Sequence, residues 1–138
     1  MLPTGHRLAT NKAIQPQELA REIFIRPARV APVLRSVIDD YAKKVGITLK
    51  PAYESENVSA AMSLVASTGG VTLIPLGVKN MLTPLVVARP LQGEVPTIDL
   101  VMGYNKSNTS ALLKRFLFRA DELVRDVQKQ LSASKSTT

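Results

Sequence analysis

The chain has 138 residues, 45% of them hydrophobic, with 18 Lys+Arg against 11 Asp+Glu and a formal net charge of +7 at pH 7. That is one domain's worth of chain, apolar enough to bury a core and too apolar for general disorder. The lack of cysteine excludes disulfides, thiolate metal sites and a cysteine nucleophile, and no stretch approaches the roughly 18 consecutive apolar residues of a spanning helix.

Residues 1–21 read as a connecting segment with Pro3, Gly5, Asn11 and Pro16, ending in a short Pro-Gln-Glu-Leu-Ala helical turn. No charged region followed by an apolar run stands at the start, so a cytoplasmic protein without membrane attachment is expected. Ile23-Phe24-Ile25 is a short apolar run that predicts a buried strand, closed by Pro27. Val30, Val33, Leu34, Val37, Ile38, Tyr41 and Val45 then recur every three or four residues, predicting an amphipathic helix over 30–45. Pro32 suits its first turn, and Gly46 marks its end. Ile47, Leu49, Pro51 and Tyr53 alternate as in a half-buried strand, with Pro51 favouring a sheet edge.

Ser55 is the expected N-cap of a second helix over 56–67, with Val58, Ala61, Met62 and Val65 on one face and Gly69-Gly70 as its stop. Val71 to Ile74 predicts a third strand, Leu85 to Ala88 a fourth, and the near-continuous apolar run Ile98 to Tyr104 a fifth, which either extends this sheet or belongs to a second one. Asn108-Thr109-Ser110 caps a long last helix. Leu112, Leu113, Phe116, Leu117, Ala120, Leu123, Val124, Val127 and Leu131 are expected to face inward. Residues 132–138 form a polar tail expected to be disordered. The strand–helix alternation implies a parallel sheet with helices on both faces, a three-layer α/β unit around residues 22–88.

Catalytic options are few. The one histidine, His6, sits in a Gly/Pro-containing segment with no acidic residue before Glu18, and no Gly-x-Ser-x-Gly elbow exists. A structural or surface role is expected for it. There is no metal-ligand spacing, and Gly69-Gly70 follows a helix where a dinucleotide fingerprint follows a strand. No enzyme, no metal and no cofactor are expected.

Charge is uneven: residues 1–50 hold nine basic and four acidic groups, 51–100 two and four, and 101–138 seven and three. The basic residues are not clustered or interleaved with aromatics, so solvated helix faces are expected ahead of a nucleic-acid surface, which stays the alternative reading. A small-molecule site has better support. In open α/β sheets ligands sit beyond the carboxyl ends of parallel strands, beside helix N-termini whose free N–H groups favour anions. Arg26 and Arg29 follow the first strand and offer bidentate pairing to a carboxylate. Ser55 and Asn57 follow the second strand and supply side-chain donors. Tyr104 and Asn105 are further candidates at the end of the fifth strand.

The segment Ser67-Thr68-Gly69-Gly70-Val71-Thr72-Leu73-Ile74-Pro75 resembles the helix-end, Gly-Val-x-Leu-(Leu/Ile)-Pro segment of the effector-binding region of LysR-type transcriptional regulators. Leu2 to Ala9 resembles the family's Leu-Pro-x-x-His-Pro-Leu-Ala segment, with Arg7 in place of proline, and Thr68 replaces the first of two glycines. Ile14 to Leu19 before Phe24-Ile25, Val87 to Leu91, and Ile98 to Lys106 followed by Leu112 to Leu117 agree in order and spacing.

The resemblance implies a type-2 periplasmic-binding-protein-like fold. Residues 1–21 connect, 22–90 form the second effector-binding subdomain, and 91–131 supply the return strand and terminal helix of an incomplete first one. It further implies a small organic anion as effector, with aromatic carboxylates the preferred class, and self-association through the 30–45 helix around Val37 and Tyr41. DNA contact would come only from a winged helix-turn-helix outside this chain. A transporter's solute-binding protein shares the fold and is a further alternative.

Overall fold

Alternating strands and helices favour parallel pairing, and the computed structural model, which describes residues 1–99 and 101–135, contains it between Phe24–Pro27 and Pro51–Ser55. In chain order the elements are β1 (Leu2–Pro3), α1 (Pro16–Leu19), β2 (Phe24–Pro27), α2 (Pro32–Lys44), β3 (Pro51–Ser55), α3 (Val58–Thr68), a 3₁₀ turn (Leu76–Met81), β4 (Val86–Val87) and α4 (Ala111–Lys135). The first unit spans Met1–Asp99 and the second begins at residue 100.

Two parallel connections centre on β2. β3 pairs with it in parallel, with Ile25 opposite Tyr53 and Pro27 opposite Ser55. On the other side Phe24 makes a parallel bridge to Val71; the Ile25 N–H donates to the Val71 carbonyl at 2.9 Å, and the Val71 N–H to Ile23 at 2.8 Å. Because side chains alternate across a strand, Phe24 and Ile25 serve opposite faces. Phe24 packs with Leu8, Leu19, Ile38 and Val71 beneath α2. Ile25 packs with Met1, Ala61, Val65 and Val86 beneath α3. The result is the expected α/β arrangement, a parallel sheet between two helical layers.

Both helices end as their sequences predict. At the end of α2, Gly46 takes φ 72°, its N–H donates to Lys43 and the Ile47 N–H to Ala42, so the last carbonyls are satisfied. At the end of α3, Gly69 takes φ 73° and the Thr68 hydroxyl donates to Leu64 at 2.6 Å.

Several expectations are corrected. Residues 1–21 are more than a connection: Leu2, Leu8, Ala9, Ile14 and Leu19 are all core residues. The second strand starts at Pro51 rather than Ile47, because the Ile47 amide is spent closing α2. The third is a single bridge at Val71; the next residue, Thr72, exchanges both backbone hydrogen bonds with Met1, at 2.8 and 3.0 Å. β4 pairs antiparallel with β1, Leu2 opposite Val87.

The described residues of the Ile98–Tyr104 run form no strand, and Val101, Met102 and Tyr104 are exposed. An apolar run becomes a strand only where a partner edge accepts its hydrogen bonds. In α4, Leu112, Phe116, Leu123, Val124 and Val127 are exposed rather than inward, whereas Leu113, Leu117 and Ala120 are half-buried. The side chain of Leu131 and residues 136–138 lie outside the described residues, and α4 runs through the first part of the expected tail to Lys135. Among the described residues, no helix is long and apolar enough to cross a membrane.

One buried group is left over. Tyr41 is 3% exposed, and its hydroxyl has no hydrogen-bond partner among the described residues. Removing an unpaired buried polar atom relieves its desolvation cost. Tyr41→Phe is therefore expected to raise the unfolding free energy by about 1 kcal/mol, measured by urea denaturation; a loss of that size would mean the hydroxyl is bonded in solution.

Candidate functional site

The carboxyl ends of β2 and β3 lie side by side, and the Ala28 N–H donates to the Ser55 carbonyl at 2.8 Å. That bond joins the two segments from which α2 and α3 begin. Ser55 is the buried last residue of β3, not the helix cap. Asn57 is the cap: its side-chain oxygen accepts from the Ala60 N–H at 2.9 Å, and its carbonyl from the Ala61 N–H. The displacement is local, since β3 keeps Ser55 extended while Asn57, at φ −152°, is the first residue whose side chain can reach back to the helix amides. Among the described residues the amides of Val58 and Ser59 carry no hydrogen-bond partner. They are the orphan donors of an eleven-residue helix, pointing out of its positive end.

The two arginines part ways. Arg26 shares the Phe24 face of β2, under α2, and pairs there with Asp39. It was expected to be free for a ligand; the pleat turns it to the α2 side and α2 supplies its carboxylate. Beside it, Arg35 reaches from α2 to Glu54 of β3 at 3.0 Å and to the Pro27 carbonyl at 3.3 Å. Arg26 and Glu54 are register partners. Four alternating charges thus fasten α2 across the ends of both strands, with both arginines partly buried. In the sequence Asp39 reads only as one of two adjacent acids, Asp39-Asp40, on a polar helix face, and Arg35 and Glu54 are not singled out. Their signal was the four-residue spacing of 35 and 39 beside the apolar stripe. Arg29 is exposed and makes no ion pair among the described residues.

Tyr104 and Asn105 belong to the second unit. Tyr104 is exposed, and the Asn105 side-chain oxygen accepts from the backbone N–H and hydroxyl of Ser107, as in an Asx turn. His6 is structural: its Nδ1 accepts from the Leu8 N–H at 3.2 Å, which leaves Nε2 to donate to Glu22 at 3.1 Å. Glu22 also pairs with Arg7. No group of three or more His, Asp or Glu able to hold a metal occurs among the described residues. Two shallow grooves open on the first unit, one lined by Asn11, Lys12, Gln15 and Gln92, the other by Tyr41, Lys44 and Glu94; neither includes Arg29, Ser55 or Asn57.

The family model for the LysR substrate binding domain matches residues 1–123. The chain belongs to this family. Among curated relatives, the Hca operon transcriptional activator HcaR of Escherichia coli strain K12 is 30% identical over 132 residues, covering 92% of this chain and 43% of the relative. The HTH-type transcriptional regulator BudR of Raoultella terrigena is 26% identical over 117 residues, covering 84% and 40%. A solved structure of HinK, a LysR family transcriptional regulator from Pseudomonas aeruginosa, is 25% identical with a TM-score of 0.46, covering 64% of this chain and 26% of that one. The chain therefore spans about two fifths of the length of the curated relatives it matches. The LysR substrate-binding domain is a type-2 periplasmic-binding-protein-like α/β fold, and the parallel β2–β3 pair between α2 and α3 is consistent with part of one.

Proposed function

We propose that this LysR-family domain senses a small organic anion at the edge formed by the 26–30 and 55–59 segments, within a transcriptional regulator. The observation that carries this reading is the pair of unpartnered amides, Val58 and Ser59, at the start of α3. They lie beside the Ser55 end of β3, which the Ala28 bond ties to the segment holding Arg29. Backbone N–H groups at a helix start favour negative charge, and an arginine adds a charge-assisted contact. An aromatic carboxylate suits this edge: its carboxylate meets the amides and Arg29, while its ring needs an apolar wall.

Arg26 serves the site indirectly, through the Asp39 pair that seats α2. Tyr104 and Asn105 stay candidates for effector contact. In the longer regulator, DNA contact falls to a winged helix-turn-helix outside this chain, self-association involves α2, and the cytoplasm is the expected location. The test is calorimetric titration of aromatic carboxylates into the full-length regulator and its Arg29→Met, Ser55→Ala and Asn57→Ala variants. Loss of one charge-assisted contact, about 1.5–3 kcal/mol, is expected to weaken binding by roughly ten- to a hundred-fold for Arg29→Met. Unchanged affinity in all three variants overturns the placement.

A further inference from the structure

The segment 85–92 leads out of the parallel sheet toward the end of the first unit, and its backbone attachments are sparse. β1 and β4 are two residues each. Pro3 ends β1, Pro84 and Pro90 flank β4, and a proline has no N–H to give a ladder. Thr4 holds one end, its N–H and its hydroxyl both donating to the Leu85 carbonyl at 3.1 and 3.3 Å. At the other end the Ile14 N–H donates to Pro90 at 2.9 Å, and the Gln92 N–H to Ile14 at 2.8 Å. Between these points, the half-buried Arg89 sends Nε to the Ala9 carbonyl at 2.8 Å and Nη1 to its neighbour's, Ala88, at 3.0 Å.

Ala9 is buried, and its carbonyl accepts from nothing else among the described residues. Among those residues Arg89 has no carboxylate partner either, so its donors are spent on backbone. We infer that the Arg89 guanidinium is a latch: it fastens the segment 85–92 to the loop 4–13 within the first unit. Arginine suits the task because its rigid fork donates in two directions from one side chain. Arg89 is thus a positioning residue.

The latch itself is tested without any ligand, by site-resolved amide hydrogen exchange on the chain and its Arg89→Met variant. Local opening, and not global unfolding, governs exchange at weakly held segments. The expected result is exchange about tenfold faster at Ile14 and Gln92, matching the loss of one charged hydrogen bond, with Ile25 and Val71 in the sheet within about twofold of the parent. Equal acceleration at all four amides, or no change at Ile14 and Gln92, overturns the latch. Should Arg89→Met fail to fold, Arg89→Lys carries the test. Its single nitrogen keeps part of the contact, so a smaller increase confined to Ile14 and Gln92 is expected, and a uniform or absent one overturns the proposal.

Discussion

Lowering the pH from 8 to 5 is expected to destabilise the isolated 138-residue polypeptide by roughly 3 kcal/mol, at about 1.4 kcal/mol for each pKa unit, because the Met1 amino group, free in that polypeptide, is buried. Met1 is 6% exposed and packs with Ile25, Ala61, Val65 and Val86. Its nitrogen donates to the Thr72 carbonyl at 2.8 Å. Burial disfavours the ammonium form and lowers the pKa from 8.0 to about 5. In the folded chain at pH 7 the amine is therefore neutral, while in the unfolded chain it is protonated below about pH 8. Between these values the unfolded state binds more protons, so stability rises with pH across the window. It is fully present above pH 8 and is lost as the pH falls toward 5. Acetylating Met1 keeps an N–H for Thr72 and removes the titration, and every other titrating group is common to both chains. The difference between the free and acetylated chains, followed by urea denaturation from pH 5 to 8, is expected to show the slope. Parallel pH profiles would mean that the ammonium stays hydrated in the folded state.

Gly70→Ala is expected to cost about 3 kcal/mol or more, beyond an ordinary overpacking penalty. A Cβ at Gly70 would stand 2.8 Å from the Ile23 carbonyl oxygen and 3.2 Å from the Ile23 Cγ2. The first of these is backbone, held in place because the same carbonyl accepts from the Val71 N–H at 2.8 Å. The clash cannot be relieved by a rotamer; it must push α3's exit away from β2 and strain the Phe24–Val71 bridge. Gly77, with nothing within 4 Å of its added Cβ, is the control, and Gly77→Ala is expected to change stability by less than about 0.5 kcal/mol. Equal effects of the two substitutions in thermal denaturation would show that the close approach at Gly70 is not maintained.

The elements legible in the sequence are those whose signal is local. α2 and α3 are written in apolar stripes and in Gly46 and Gly69, which supply the left-handed backbone their ends require. β2 shows as a short apolar run closed by Pro27. What escaped depends on partners distant in the chain. Leu2 and Pro3 form a strand only because Val86 and Val87 lie beside them. The apolar run at Ile98–Tyr104 reads as a strand, yet its described residues have no edge to join. The stripe of α4 is present, but most of its large side chains stay exposed among the described residues. At the candidate site the loop before α3 was legible in outline, but its cap is Asn57 rather than the expected Ser55, which β3 holds extended. The diversion of Arg26 to Asp39 depends on which face of β2 meets α2, which only register decides.

The most direct test of the proposed site is the amide spectrum of the ¹⁵N-labelled chain during titration with benzoate, with acetate at the same ionic strength as reference. The largest shifts are expected at Val58 and Ser59, whose N–H groups have no other partner among the described residues, and next at Ala28 and Arg29. Amides at Asn11–Gln15 and Gln92, along the groove lined by Asn11, Lys12, Gln15 and Gln92, are expected to stay in place. Shifts centred on that groove, or none at Val58 and Ser59 at millimolar benzoate, contradict an anion site at the start of α3.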